Sequence, residues 1–217
     1  MKVRNYPLTI VAVVLIIFAV APATYANNFS FTGSFSQDDN IQLFTVTVPV
    51  ISTVTFRTWS YAGGVNAAGQ TIPHGGFDPI LAVFDSTGLL IGQNDDGGCA
   101  LVAADPVTGQ CYDTYFTATL SPGVYRVSVM EYDNFANGPN LSDGFLQQGQ
   151  GNFTGPLFCG VTGGFYDVTC DQRTNQWAFD ALNVGNATTT PEPSSLLLMG
   201  SGILGLAGVI RRKLAAR

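Results

Sequence analysis

At 217 residues the chain has room for one domain or two, so targeting segments have to be set aside before any fold is read. Between residues 27 and 190 only Arg57, Arg126 and Arg173 stand against fourteen acidic residues, a net charge of −11 where the whole chain carries −6. Such a surface excludes nucleic acid as a partner, favours solubility and tends to collect divalent cations.

The first element is residues 1–26. Lys2 and Arg4 precede an apolar run from Leu8 to Val20, and Thr24, Tyr25 and Ala26 close it with small residues at the offsets of a cleavage site. The run is shorter than the roughly 20 residues a spanning helix prefers. It reads as a signal peptide cut before Asn27, which implies a secretion translocon and a signal peptidase as partners.

From Asn27 the pattern changes to alternation. Phe29, Phe31 and Phe35 are spaced by Ser, Thr and Gly, and Phe44, Val46 and Val48 by threonines. Val54 with Phe56, Ile80 with Ala82 and Phe84, and Phe116 with Ala118 and Leu120 continue the period of two. Tyr125, Val127 and Val129 follow a Ser121, Pro122, Gly123 turn, and Trp177, Phe179 and Ala181 close the series. About eight short strands parted by Gly, Asp and Asn turns predict an all-β ectodomain over 27–183, a β-sandwich or jelly-roll. Residues 184–193 read as a polar linker that ends in Pro191, Glu192 and Pro193.

Residues 194–217 form a tail. Ser194 to Ile210 carries no charge, and Arg211, Arg212 and Lys213 follow at once. Seventeen residues reach about 25 Å as a helix, enough for a thin hydrocarbon core with snorkelling flanks. The expectation is a single transmembrane helix over 194–210 with its basic end, 211–217, in the cytoplasm. A plain membrane anchor that is never processed fits this pattern as well.

Cys99, Cys111, Cys159 and Cys170 all fall in the exported part, where two disulfides are expected. Three pairings are possible. Cys99 with Cys111 and Cys159 with Cys170 are favoured because each staples a glycine- and acid-rich loop, and closing about a dozen residues contributes roughly 3 kcal/mol on the chain-entropy model. Zinc would need thiolates or imidazoles at closer spacing, and the one histidine, His74, is remote.

The acidic turns carry the sharper expectation. Calcium takes six to eight oxygens from Asp and Asn side chains and carbonyls at turns. Asn94, Asp95 and Asp96 precede Gly97 and Gly98, while Asp78, Asp113, Asp133 and Asn134 stand at strand ends where they could converge. A structural calcium is therefore the candidate cofactor. The competing account is that Asp and Asn are plain turn-formers, since no EF-hand loop is present. Trp59 and Tyr61, in a Gly-rich loop, are the candidate aromatic platform for a sugar, with Tyr132 and Phe135 in another loop; core packing is the alternative.

Catalytic signatures are missing. There is no Gly-x-Ser-x-Gly elbow, His-Glu-x-x-His or P-loop, and His74 sits in a flexible His-Gly-Gly context. Carboxylate pairs could serve glycoside hydrolysis only at a separation in space that sequence does not fix. Four Asn-x-Ser/Thr sites, at Asn28, Asn140, Asn152 and Asn186, carry little weight in a bacterial chain.

The tail, by its Pro-Glu-Pro, short apolar run and basic end, resembles a PEP-CTERM sorting signal. That resemblance implies processing by an exosortase-type enzyme, transit through the inner membrane of an outer-membrane bacterium, and a destination at the cell surface or in an exopolysaccharide matrix. The ectodomain resembles bacterial pre-peptidase C-terminal domains through Asp38 and Asp39, Phe77-Asp78-Pro79, Asn94-Asp95-Asp96 and Leu120 to Val129. More closely, Arg57 to Gly64, Gly75 to Asp78 and Asp133-Asn134-Phe135 are similar to uncharacterised secreted proteins that carry PEP-CTERM tails. Both imply a β-sandwich with no established catalysis. The expected function is non-enzymatic, structural or adhesive, in an exopolysaccharide layer; the alternatives are a carbohydrate-binding module and, further off, a hydrolase accessory domain.

Overall fold

The computed structural model describes residues 26–190. The signal peptide, the spanning stretch 194–210, the Pro-Glu-Pro tripeptide and the basic end fall outside the described residues. Among the described residues no helix is long and apolar enough to cross a membrane.

Two antiparallel sheets face each other. The first holds β1 (Asn27–Ser34), β3 (Ser52–Thr58), β8 (Tyr115–Leu120) and β10 (Gln176–Val184) in the order β1-β10-β3-β8. The second holds β2 (Gln42–Val48), β6 (Pro79–Phe84), β7 (Leu90–Asn94), β9 (Gly123–Glu131) and β11 (Asn186–Thr190) in the order β11-β2-β9-β6-β7. A two-stranded ribbon, β4 (Gly64–Val65) with β5 (Thr71–Ile72), stands apart. The expected all-β sandwich is what forms.

Period-two alternation decides which face each strand buries. Phe44, Val46 and Val48 of β2 and Val54 and Phe56 of β3 point between the sheets, while Thr53 and Thr55 point out and pair their hydroxyls with Thr119 and Thr117 at 3.0 Å. Phe44 is the centre of the core. Its ring lies 4.5 Å from Phe179, 4.9 Å from Phe31 and 5.8 Å, edge-on, from Trp177. Such pairs add roughly 0.5–1.5 kcal/mol each beyond the burial of their area.

β6 departs from the simple alternation. Every one of its residues is buried. Leu81 and Val83 join the inter-sheet core, whereas Ile80, Ala82 and Phe84 turn to the opposite face and pack with Met130 and Phe145 in a second cluster under the 132–148 loop. A continuous apolar run covered on both sides explains this better than alternation does.

Residues 186–190 are a further correction: the expected linker is strand β11, paired with β2 from Asn186 opposite Thr47 to Thr190 opposite Leu43. Only Ala187 of this strand is buried, so its hydrophobic signature is a single residue. Cys99 is bonded to Cys111 and Cys159 to Cys170, with Cα atoms 5.1 and 5.5 Å apart.

Candidate metal centre

Three strand ends meet at one rim of the five-stranded sheet. β6 runs antiparallel to both β7 and β9, with Leu81 opposite Asn94 and Pro79 opposite Glu131. The start of β6 and the ends of β7 and β9 therefore share an edge. This brings Asp78, Asp95 with Asp96, and Glu131 with Asp133 together across more than fifty residues of chain.

One carboxylate oxygen from each of Asp78, Asp95 and Asp96 lies within 4.8 Å of the others. Two oxygens bound to one calcium at about 2.4 Å can be at most about 4.8 Å apart, so the spacing suits a shared ion. Asp78 is 4% exposed, and its Oδ1, like Oδ1 of Asp95, has no protein partner. Glu131 is wholly buried with both carboxylate oxygens unpartnered. Unpaired buried carboxylates cost several kcal/mol each unless a cation or a proton neutralises them.

The electrostatics agree with that geometry. Burial, then the charges of Asp95 and Asp96, holds the Asp78 carboxyl well above the usual carboxylate range. Asp95 is pushed up to about 7 by burial and by Asp96 and Asp133. Burial also raises Asp96, with Asp113 adding to it, and Asp133. Glu131 is raised strongly, by burial first and then by Asp78, Asp38 and Asp167. A divalent cation would reverse these shifts, which fits the donor set.

The loop that carries Asp95 and Asp96 is built rather than loose. Asn94 Nδ2 donates to the Asp96 carbonyl at 3.1 Å, and Tyr115 N–H donates to Asn94 Oδ1 at 2.8 Å. Gly97 N–H donates to the Asp113 carbonyl at 2.9 Å, and a Cβ on Gly97 would stand 2.7 Å from Val102 Cγ1. The Cys99–Cys111 bond closes the same segment.

Not every expected ligand reaches the cluster with free oxygens. Asp113 accepts from Thr58 Oγ1 at 2.8 Å, Tyr61 N–H at 3.1 Å and Ala62 N–H at 2.8 Å, so it organises the 58–62 turn. Asn134 donates to the Asp39 carbonyl and accepts from Gln147 N–H, and Asn94 is engaged as described. These three are structural residues. Glu131 was not among the expected ligands, although the row Tyr125, Val127, Val129 leads straight to it: the next inward position is a carboxylate.

Trp59 and Tyr61 do not form a sugar platform. Tyr61 is fully buried, its hydroxyl donating to Asp167 Oδ2 at 2.7 Å and its ring under the Arg173 guanidinium at 3.7 Å. Trp59 is half-buried, covered by the Arg57 guanidinium at 3.6 Å, and its Nε1 donates to Asp180 Oδ2 at 2.7 Å. Tyr132 and Phe135 pack on the second cluster. His74 Nδ1 lies 3.3 Å from Asp105 Oδ1, and Asp105 also receives Arg173. A cleft of about 280 Å³ opens instead beside β5, lined by Thr32, Ser60, Gln70, Thr71, Gln176 and Trp177, among others.

Residues 189–213 match the PEP-CTERM protein-sorting motif. The chain thus carries the sorting signal expected from its Pro-Glu-Pro and basic end, and with it the marks of an exported, surface- or membrane-associated protein handled by secretion machinery and an exosortase-type enzyme. No curated protein matches the chain in sequence. Among solved structures, it is similar to the pre-peptidase C-terminal domain of a collagenase from Bacillus anthracis, at 10% identity and a TM-score of 0.34, over 75% of this chain and 90% of that one.

Proposed function

We propose that this chain is a non-catalytic surface protein, passed across the inner membrane of an outer-membrane bacterium and sorted to the cell exterior, where a calcium-locked sandwich plays a structural or adhesive part in an exopolysaccharide layer. The observation that carries the metal is the meeting of Asp78, Asp95 and Asp96, with Oδ1 of Asp78 and Oδ1 of Asp95 buried and unpartnered. Asp78, Asp95 and Asp96 would hold the ion, and Asp133 and Glu131 would add charge around it. When bound, calcium would neutralise these carboxylates and tie the start of β6 to the end of β7, and it needs no open coordination position to do so. The sorting motif supports the address, and the acidic surface suits a calcium-rich matrix in which carboxylates of protein and polysaccharide share ions.

Thermal unfolding of the mature chain in chelator and in millimolar calcium tests the metal. A rise in Tm of several degrees is expected, and an identical Tm in both would remove calcium from the reading. A pull-down with the bacterium's own polysaccharide tests the matrix role, with retention expected only when calcium is present.

A second reading, a carbohydrate-binding module, is favoured by one feature, the cleft beside β5 with its hydroxyl- and amide-rich lining around Trp177. It expects binding without calcium on a glycan array and loss of binding in Gln176→Ala.

A further inference from the structure

The sorting motif does not begin where the folded domain ends. Its match starts at residue 189, and residues 189 and 190 are the last two of β11, paired in the sheet opposite Phe44 and Leu43. Thr190 is pinned twice: its Oγ1 lies 2.9 Å from Thr45 Oγ1 and accepts from Arg126 Nη1 at 3.4 Å. Arg126 also donates to Thr45 Oγ1, so one of the domain's three arginines sits where the chain leaves the sheet.

With β11 in place, three residues, Pro191, Glu192 and Pro193, separate the paired strand from the apolar run at Ser194. At about 3.3 Å each they reach about 10 Å. The headgroup layer on one side of a bilayer takes up about 5–7 Å of that. A processing enzyme that grips extended chain on both sides of a bond near the tripeptide would collide with the sheet. Freeing residues 186–190 raises the reach to eight residues, about 26 Å.

β11 is suited to leave. It is an edge strand with one neighbour, β2, and one buried residue, Ala187 at 5% exposure. Thr188 and Thr189 are exposed. Phe44, Val46 and Val48 of β2 stay held from the other side by β9. We propose that β11 is a releasable strap and that the sorting enzyme acts on the motif only after Asn186–Thr190 has left β2. The strap then shields the motif until the enzyme captures it, and closes again on β2 after processing. This rests on the reading that the motif is processed by an exosortase-type enzyme.

Thr45 and Thr188 are register partners with outward side chains, so Thr45→Cys with Thr188→Cys can lock the strap by a disulfide without touching the core. The test expresses the full chain, both targeting ends included, in a bacterium that possesses such a sorting enzyme, and follows processing by intact mass. The locked chain is expected to be processed at least tenfold more slowly than the unmodified chain. Six Gly/Ser residues inserted between Thr190 and Pro191 of the locked chain should restore the rate. Processing of the verified cross-linked chain at the unmodified rate overturns the strap. Ala187→Asp, which loosens β11 with no cross-link, is expected to speed processing several-fold; no gain also overturns it. If the unmodified chain is itself never processed, the processing reading falls, and the strap with it.

Discussion

Asp38 shows how much one side chain can organise. It is fully buried, and its carboxylate accepts from Phe153 N–H at 2.8 Å, Thr154 N–H at 3.0 Å, Thr154 Oγ1 at 2.6 Å and Phe165 N–H at 3.1 Å, tying together loops more than a hundred residues away. Asp38→Ala strands those donors, each at about 1–3 kcal/mol, and is expected to lower the urea midpoint more than any surface substitution. Asp78 is the opposite case, a buried carboxylate without such donors. Asp78→Asn should abolish the calcium-dependent rise in Tm while leaving the metal-free protein as stable as before or more so at pH 7, because it removes an ionisation that burial opposes. Asp78, Asp95 and Glu131 have folded pKa values above their unfolded ones, so the native state binds more protons than the unfolded state between them. The contribution of these three groups to stability without metal is therefore greatest below the unfolded carboxylate range near 4 and falls as pH rises through about 7, the value for Asp95. Melting curves in chelator from pH 4 to 8 should decline across that window, and calcium should flatten them. Asp95 and Asp96 were legible from their turn; Glu131 was legible only by continuing the inward row of β9 by one step.

At the scale of elements, alternation identified β2, β3 and β8, each with a drier and a wetter face, and also β9 and β10, whose apolar rows at Tyr125, Val127, Val129 and Trp177, Phe179, Ala181 stand out although their other faces are largely covered too. It found β6 as a strand through Ile80, Ala82 and Phe84, but that row faces the cluster under the loop from 132 to 148 while Leu81 and Val83 face the inter-sheet core, and it had nothing to read in β11, which buries one alanine. The same logic sets the cost of damage. Phe44→Ala, at the centre of the aromatic stack, is expected to destabilise the domain by about 3–5 kcal/mol in urea denaturation. The Cys99–Cys111 staple belongs to this scale as well, since the chain it closes starts three residues after Asp96 and ends two before Asp113. Replacing both cysteines by serine should cost roughly 3 kcal/mol and weaken calcium binding, measured by calorimetry, because Asp95 and Asp96 lose their fixed loop.

For the whole molecule, composition and local pattern were enough to determine a secreted address, two sheets of short strands, disulfides in place of free thiols, and an acidic exterior. These depend on sums and short-range periodicity, which a chain displays without folding. What only the tertiary structure decided is adjacency: that β6 lies between β7 and β9, so that Asp78, Asp95 and Glu131 share a rim; that Tyr61 turns into the core under Arg173; and that the segment entering the sorting motif is a strand. Adjacency comes from strand order and from which loop covers which face, long-range choices made by packing the entire core at once. No window of sequence contains them.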